Sequence, residues 1–529
     1  MKYRIILPLG SFLLFLIFGV SYQSWTQGKF AVSEFSLFNS KHTINKGDLE
    51  GYATLLIEDL DGDGLKDILF LKGKNIFIFP QSSLNGYPNY PTETLDLSRF
   101  SAVDTSDIGL KPGKELVLMG EDGIYCYTQN EGKFEANPIQ IISEKTFYPP
   151  FSRKIEVWDF ALDLNGDGED EILLPKQDRL IIYSKDPKGF YKIKQEIPLE
   201  SQISIEFGDT TSEYSVRTPS SVLNTFDLFK NKTLGQPGLS FVLHLTTDKF
   251  IFIDLNEDNR KDLVIIKQGS PKELLDKKRF FVAYCHYIFF QNEQGFFPQE
   301  PSKIFETHRS SWLSGFYSDI NGDGKIDKLE INHLMDSPLS QRELSVIKIF
   351  LATGGNTYPT QPQQVIKAKG NIWENTPFLD LDKDGDLDLL VVATSIPAES
   401  VGSLVNSFLE EGRKFIFQFY LWKQGKGYPK MPNFTKAIKW SLFNNQFLSF
   451  DGDFNGDGYL DIALFRKDKV EIFTLINVKK GFSDRPWFTT PIDEFDSFYI
   501  DDLNGDGRSD IILVNLSAGS VKVMFSQKD

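Results

Sequence analysis

The stretch Asp502–Val514 reads DLNGDGRSDIILV. Oxygen-bearing side chains stand first, third, fifth and ninth in a glycine-rich loop, which then runs directly into an apolar segment. The same pattern returns as DLDGDGLKDILFL from Asp59, DLNGDGEDEILLP from Asp163 and DLNEDNRKDLVII from Asp254. It recurs again as DINGDGKIDKLEI from Asp319, DLDKDGDLDLLVV from Asp380 and DFNGDGYLDIALF from Asp453. One such match is weak, but seven in register mark an internal repeat, and a repeat constrains the whole fold.

An eroded unit, VDTSDIGLKPGKELVLMG, lies between the first two intact copies. Read with Asp104 as its first residue, it keeps the exit acid Glu115 and has lost the alternating carboxylates. Units therefore begin at 59, 104, 163, 254, 319, 380, 453 and 502, and the shortest interval still holds four short strands with turns. A second signal falls between the loops. GYPNYP at Gly86, GKFEANP at Gly132, GFFPQEP at Gly295 and GYPKMP at Gly427 share a Gly-aromatic-Pro turn, with looser versions at Asn356 and Gly481. Each unit thus reads strand, acidic loop, strand, turn, strand, aromatic-Pro turn, strand. Four antiparallel strands repeated radially make a β-propeller blade, so the expectation is an all-β, eight-bladed propeller. Seven blades is the alternative if the Asp104 unit is absorbed elsewhere. After the last loop only NLSAGSVKVMFSQKD remains, short of a fourth strand, so KFAVSEFSLF from Lys29 is expected to pair with VKVMF and close the ring.

On these motifs the chain resembles the FG-GAP/VCBS repeat family, which includes the integrin α-subunit head. The resemblance runs from about Phe30 to the C-terminus. It implies that each acidic loop joins the first and second strands of a blade and holds calcium.

The chemistry suits that cation. Ca²⁺ takes about six to eight oxygen ligands, and acids or Asn at positions one, three and five of a tight loop converge on one point. Position six must turn sharply, so it is Gly, or Asn259 in one copy, because Asn tolerates the left-handed backbone. Position seven offers a backbone carbonyl and position nine a further carboxylate. The expected ligands are Asp59, Asp61, Asp63, Leu65 and Asp67 in the first loop, and Asp163, Asn165, Asp167, Glu169 and Glu171 in the next. Then come Asp254, Asn256, Asp258, Arg260 and Asp262, followed by Asp319, Asn321, Asp323, Lys325 and Asp327. The sixth blade supplies Asp380, Asp382, Asp384, Asp386 and Asp388, the seventh Asp453, Asn455, Asp457, Tyr459 and Asp461. The last loop supplies Asp502, Asn504, Asp506, Arg508 and Asp510. An EF-hand would need Glu at position twelve and flanking helices. Position twelve is instead Phe70, Leu174, Ile265, Val391, Leu464 and Leu513, with an acid only at Glu330. Up to seven structural Ca²⁺ would also bring the formal charge of −16 close to neutral. Each would staple two strands at the propeller rim. Sodium, or Asx turns with no metal at all, is the plainer alternative for any one loop.

Composition bounds the rest. The chain has 529 residues, 41% hydrophobic and 25% charged, with 47 Phe and 19 Tyr. That aromatic content suits strands, and the acidity argues against nucleic acid as a partner. Lys2 and Arg4 precede an apolar run from Ile5 to Val20, the pattern of a signal segment over 1–21, with 22–529 as a single propeller domain. The run is short of the roughly 20 residues of a membrane span, so an uncleaved anchor is the alternative. The expected location is extracytoplasmic: periplasmic, secreted or at the cell surface. Cys126 and Cys285 fall two blades apart, which favours two reduced core thiols.

Inserts are expected near 200–245, 270–280, 335–345 and 396–414, the last as a short helix with Val401, Leu404, Val405, Phe408 and Leu409 on one face. The five histidines, 42, 244, 286, 308 and 333, show no metal spacing, and no catalytic motif stands out. The functional expectation is an exported calcium-binding propeller serving as an interaction or adhesion scaffold, with a protein or glycan ligand and no catalytic residue assigned. One alternative is a carbohydrate-active protein, a lectin or polysaccharide lyase, in which Trp312, Trp373, Trp422 or Trp487 stack on sugars. The other is a subunit of a cell-envelope complex.

Overall fold

The computed structural model describes residues 25–27, 29–37, 53–82, 86–109, 112–130, 133–146, 155–176, 179–198, 239–241, 249–254, 258–268, 284–307, 316–323, 325, 327–333, 344–353, 358–369, 371–372, 378–394, 413–440, 447–516 and 518–528. They form an all-β, eight-bladed propeller of antiparallel sheets. Blade 1 shows the plan: Ala53–Glu58, Asp67–Lys72, Asn75–Phe79 and Glu93–Asp96 pair in sequence from the innermost strand outward. The acidic loop joins the first strand to the second, as expected.

Burial explains why these segments are strands. The second strands are enclosed on both faces, so they are continuous apolar runs: Glu115–Gly120 and Asp461–Phe465 are buried at every residue. Fourth strands have one wet face and alternate, as in Gln364–Lys369. The eroded unit is a full blade, Phe100–Ser106, Glu115–Gly120, Gly123–Tyr127 and Ile139–Ser143, so the count is eight. Extra strands line two innermost edges: Glu156–Val157 pairs in parallel with blade 2, and Leu239–Phe241 pairs with Lys249–Ile253 of blade 4.

The ring closes through the N-terminus. Blade 8 takes Ser497–Asp501, Asp510–Asn515 and Ser520–Ser526 from the C-terminal end, and Phe30–Ser36 supplies its fourth strand. The register runs from Phe30↔Ser526 to Ser36↔Ser520, and Trp25–Gln27 adds a further outer strand. Alternate faces of this one strand serve two neighbours. Phe30 is buried with Phe454 and Phe488 of blade 7, while Phe35 is buried against Phe79 and Tyr87 of blade 1.

The insert ranges fall largely outside the described residues. Of 200–245 only Leu239–Phe241 is described; 270–280, 335–343 and the 396–412 part of the expected helix are not. Cys126 is a buried free thiol, and burial pushes its pKa up. Cys285 lies in the third strand of blade 4, and its side chain, like those of all five histidines, is outside the description.

Candidate metal centre

The first residue of each loop organises it. In blade 1, Gly62 N–H donates to Asp59 Oδ1 at 2.7 Å and Gly64 N–H to Asp59 Oδ2 at 2.9 Å. Asp163 and Asp453 accept the same pair from Gly166 and Gly168, and from Gly456 and Gly458. This turn brings positions one, three and five together. The carboxylates of Asp59, Asp61 and Asp63 lie within 4.8 Å of one another, as do those of Asp380, Asp382 and Asp384. Crowding shows in their acidities. Burial, then the Asp384 charge, pushes Asp382 up to about 6, and burial, then Asp63, raises Asp61. Asp382 Oδ1 is buried and accepts no hydrogen bond among the described residues. An all-oxygen set with an orphaned buried carboxylate oxygen fits a hard divalent cation.

Position nine is placed differently from positions one, three and five, and belongs to neither group. Its carboxylate is held by two backbone amides, one from loop position two and one from the end of the third strand. Asp67 accepts from Leu60 at 3.1 Å and Gln81 at 2.8 Å. Asp327, Asp388, Asp461 and Asp510 each repeat this double contact. The acid is buried and ties the loop to its blade. Burial outweighs the two amides and pushes Asp67 and Asp327 up to about 7, Asp510 to about 8 and Asp388 to about 9.

Among the described residues the loops are joined to their neighbours around the ring, the junction between blades 4 and 5 lying outside them. The position-eight amide of one loop donates to the position-one or position-two carbonyl of the loop before it. Lys114 donates to Asp59, Asp170 to Asp107, Lys261 to Leu164, Leu387 to Ile320, Leu460 to Leu381 and Ser509 to Asp453. Lys66 donates to Leu503 at 2.9 Å, which carries the ring across the seam. In some loops the neighbour adds a steric reason, beyond a positive φ, for glycine at position four, although Lys383 stands there in blade 6. A Cβ on Gly166 would sit 2.2 Å from the Asn259 carbonyl oxygen of the next loop, whereas one on Gly168, at position six, would meet nothing within 4 Å. Position six is glycine for its left-handed φ alone, and Asn259 adopts φ 65° there, as expected.

The aromatic-Pro turns lock the same loops from outside. Tyr87 and Tyr428 hydroxyls donate to the position-eight carbonyls of Lys66 and Leu387, at 2.7 and 2.6 Å. The preceding blade's fourth strand grips the turn in its place: Gln364 accepts from Tyr428 N–H, and a Cβ on Gly427 would lie 2.5 Å from the Gln364 oxygen.

Three placements differ from the sequence reading. In blade 2, Ile108 N–H donates to Glu115, the bond that Leu60 makes to Asp67, so the loop begins at Asp107. Asp104 lies instead in the innermost strand, buried, accepting from Phe160 and Ala161 of blade 3. Second, the seven loops are unequal. Arg260, Lys325 and Arg508 at position seven turn their side chains onto the position-five acids Asp258, Asp323 and Asp506, and Lys383 reaches Asp453 at 3.7 Å. Third, Trp422 is buried edge-on against Tyr428, and Trp487 is half-buried beneath Lys29, so neither is an open stacking platform. Trp312, Trp373 and the ligand candidate Asn256 lie outside the described residues.

Residues 453–521 match the family model for the FG-GAP-like repeat. The match spans the last two acidic loops, so blades 7 and 8 carry this repeat; it does not extend to integrins. No curated protein sequence matches the chain. Among solved structures the chain is similar to a lectin of Agrocybe aegerita, described as recognising non-reducing terminal N-acetylglucosamine. Identity is 12%, covering 93% of this chain and 96% of that one, with a TM-score of 0.39. It is also similar to the V. cholerae biofilm matrix protein Bap1, at 11% identity over 94% and 91% of the two chains, with a TM-score of 0.30.

Proposed function

We propose that this eight-bladed propeller, whose residues 453–521 are an FG-GAP-like repeat, is an exported interaction scaffold whose ring of acidic loops is cross-linked by calcium. The observation that carries this reading is the convergence of three carboxylates on one point in the loops at 59–63 and 380–384. Asp59, Asp61 and Asp63 would hold one cation, and Asp380, Asp382 and Asp384 another. The bound ion would supply charge neutralisation to groups that burial and mutual repulsion now disfavour. The remaining five loops would hold Ca²⁺ more weakly where Asn stands at position three, and weaker still where Arg or Lys already pairs with position five. Export rests on Lys2 and Arg4 followed by the apolar run Ile5–Val20. The role is structural, because each loop grips its neighbour and a stiffened ring presents the outer turns in fixed positions.

The test is thermal unfolding of the full chain in excess chelator and in about 1 mM Ca²⁺, the range of extracellular sites. Chelation should lower Tm, and returning Ca²⁺ but not Mg²⁺ should restore it. A Tm indifferent to chelator sinks the proposal.

A further inference from the structure

The turns between the third and fourth strands of blades 6 and 7 are basic, in a chain of net charge −16. Lys423, Lys426 and Lys430 are exposed on the first turn, and Lys479, Lys480 and Arg485 on the second. Asp484 is the one acid in either. Among these cations stand two bare apolar side chains, Met431 at 74% exposure and Ile476 at 49%. The turns form one surface. Lys436, at the foot of the first, donates to the Ser483 carbonyl of the second, and Phe434 packs on Phe482 with ring centroids 6.0 Å apart.

A third element joins them at the seam. Lys29 lies over the Trp487 ring at 3.8 Å, two residues beyond Arg485, and leads directly into Phe30 of the closing strand. The sequence that precedes this strand is the apolar run Ile5–Val20, only a few residues before Trp25.

We propose that the outer turns of blades 6 and 7 form a docking surface for an anionic phospholipid bilayer. Six exposed cations would neutralise lipid phosphates, and Met431 and Ile476 would enter the headgroup boundary, the combination that makes interfacial binding both charge-dependent and apolar. A flat sugar polymer is the less suitable occupant, since Trp487, the aromatic beside the patch, is already covered by Lys29. The turns pack on the acidic loops of their own blades, through Tyr428 on the Leu387 carbonyl and the Trp422 and Leu475 amides on Asp388 and Asp461, but the lipid contacts are assigned to their exposed cations and not to calcium.

The experiment is co-sedimentation of the full chain with vesicles of phosphatidylcholine alone, or containing about 30% phosphatidylglycerol. The apolar run binds both kinds alike, so the readout is the anionic-to-neutral ratio of affinities. The wild-type ratio should be large at about 0.1 M salt and fall strongly at about 0.5 M, as screening requires. Each cation removed should cost about fivefold, so Lys479→Gln/Lys480→Gln/Arg485→Gln should lower the ratio on the order of 100-fold. Lys188→Gln/Lys192→Gln in blade 3 should leave it unchanged. All five positions are exposed, Lys192 in the fourth strand of blade 3 and the others on turns, and matching circular dichroism shows that each variant folds. The inference is overturned if the triple variant keeps the wild-type ratio, if the ratio vanishes with chelator while the turns are intact, or if an acidic polysaccharide binds these turns and vesicles do not. The chelator arm separates this inference from the calcium reading, because failure of either leaves the other standing.

Discussion

Replacing Phe30 or Phe35 by Ala tests the closure of the ring where one strand carries it. Both side chains belong to Phe30–Ser36, the N-terminal strand that pairs with Ser520–Ser526 of blade 8. Phe30 is fully buried, with ring centroids 4.6 Å from Phe488 and 6.4 Å from Phe454. Phe35 is 3% exposed, 4.7 Å from Phe79 and 5.4 Å from Tyr87. Truncating a fully buried Phe costs about 3–5 kcal/mol in lost transfer energy and cavity. The two rings point to opposite faces of the strand and stand about 17 Å apart along it, so their effects should add within about 0.5 kcal/mol. The double variant then loses about 6–10 kcal/mol, comparable with the whole stability of a typical domain. Glu34→Ala, between them but exposed, should change stability by less than about 0.5 kcal/mol. Urea unfolding followed by circular dichroism gives these differences. Amide exchange locates them: Ser520–Ser526 should lose protection first, because that strand loses its seven-residue partner. If either single variant cost under about 1 kcal/mol, or exchange rose elsewhere while Ser520–Ser526 stayed protected, the closure argument would be wrong.

Two further outcomes follow from the loops. The folded-state pKa values of Asp67, Asp327, Asp510 and Asp388 lie at about 7, 7, 8 and 9, above the ordinary carboxylate range. A raised carboxylate binds its proton more tightly folded than unfolded, so metal-free stability should rise as pH falls from about 9 towards the unfolded value of 3.8, and be lost as pH climbs back through 7 to 9. If position nine joins the ligand set, calcium displaces those protons, its affinity strengthens as pH rises through 7 to 9, and calorimetry in buffers of different ionisation enthalpy detects proton release. No release at pH 7 would count against placing these acids near the metal. Gly166→Ala should cost well over 2 kcal/mol, because the new Cβ meets the Asn259 carbonyl at 2.2 Å, while Gly168→Ala should cost about 1–2 kcal/mol from backbone strain alone. Equal losses in denaturant melts would remove the loop-to-loop contact as the reason for position four.

Much of the architecture was legible from the residues, because a propeller repeats one local unit and each unit writes its own punctuation. The seven loops, the apolar second strands and the unpartnered KFAVSEFSLF segment together specified eight blades and the seam. Asn259 at position six was readable too, since its left-handed backbone is a local requirement. The degenerate loop of blade 2 was not. Asp104 and Asp107 are equally plausible first residues in the text, and only the Ile108–Glu115 hydrogen bond sets the frame. Contacts between blades were beyond reach for the same reason, as the sequence orders neighbours along the chain and says nothing of which atoms meet across a cleft. Tertiary structure alone decided that Gly62 and Gly166 leave room for the adjacent loop, that Tyr87 and Tyr428 lock loop carbonyls, and that Arg260, Lys325 and Arg508 occupy acids which the spacing offered to metal. Local chemistry wrote the loops, and packing across the ring ranked them.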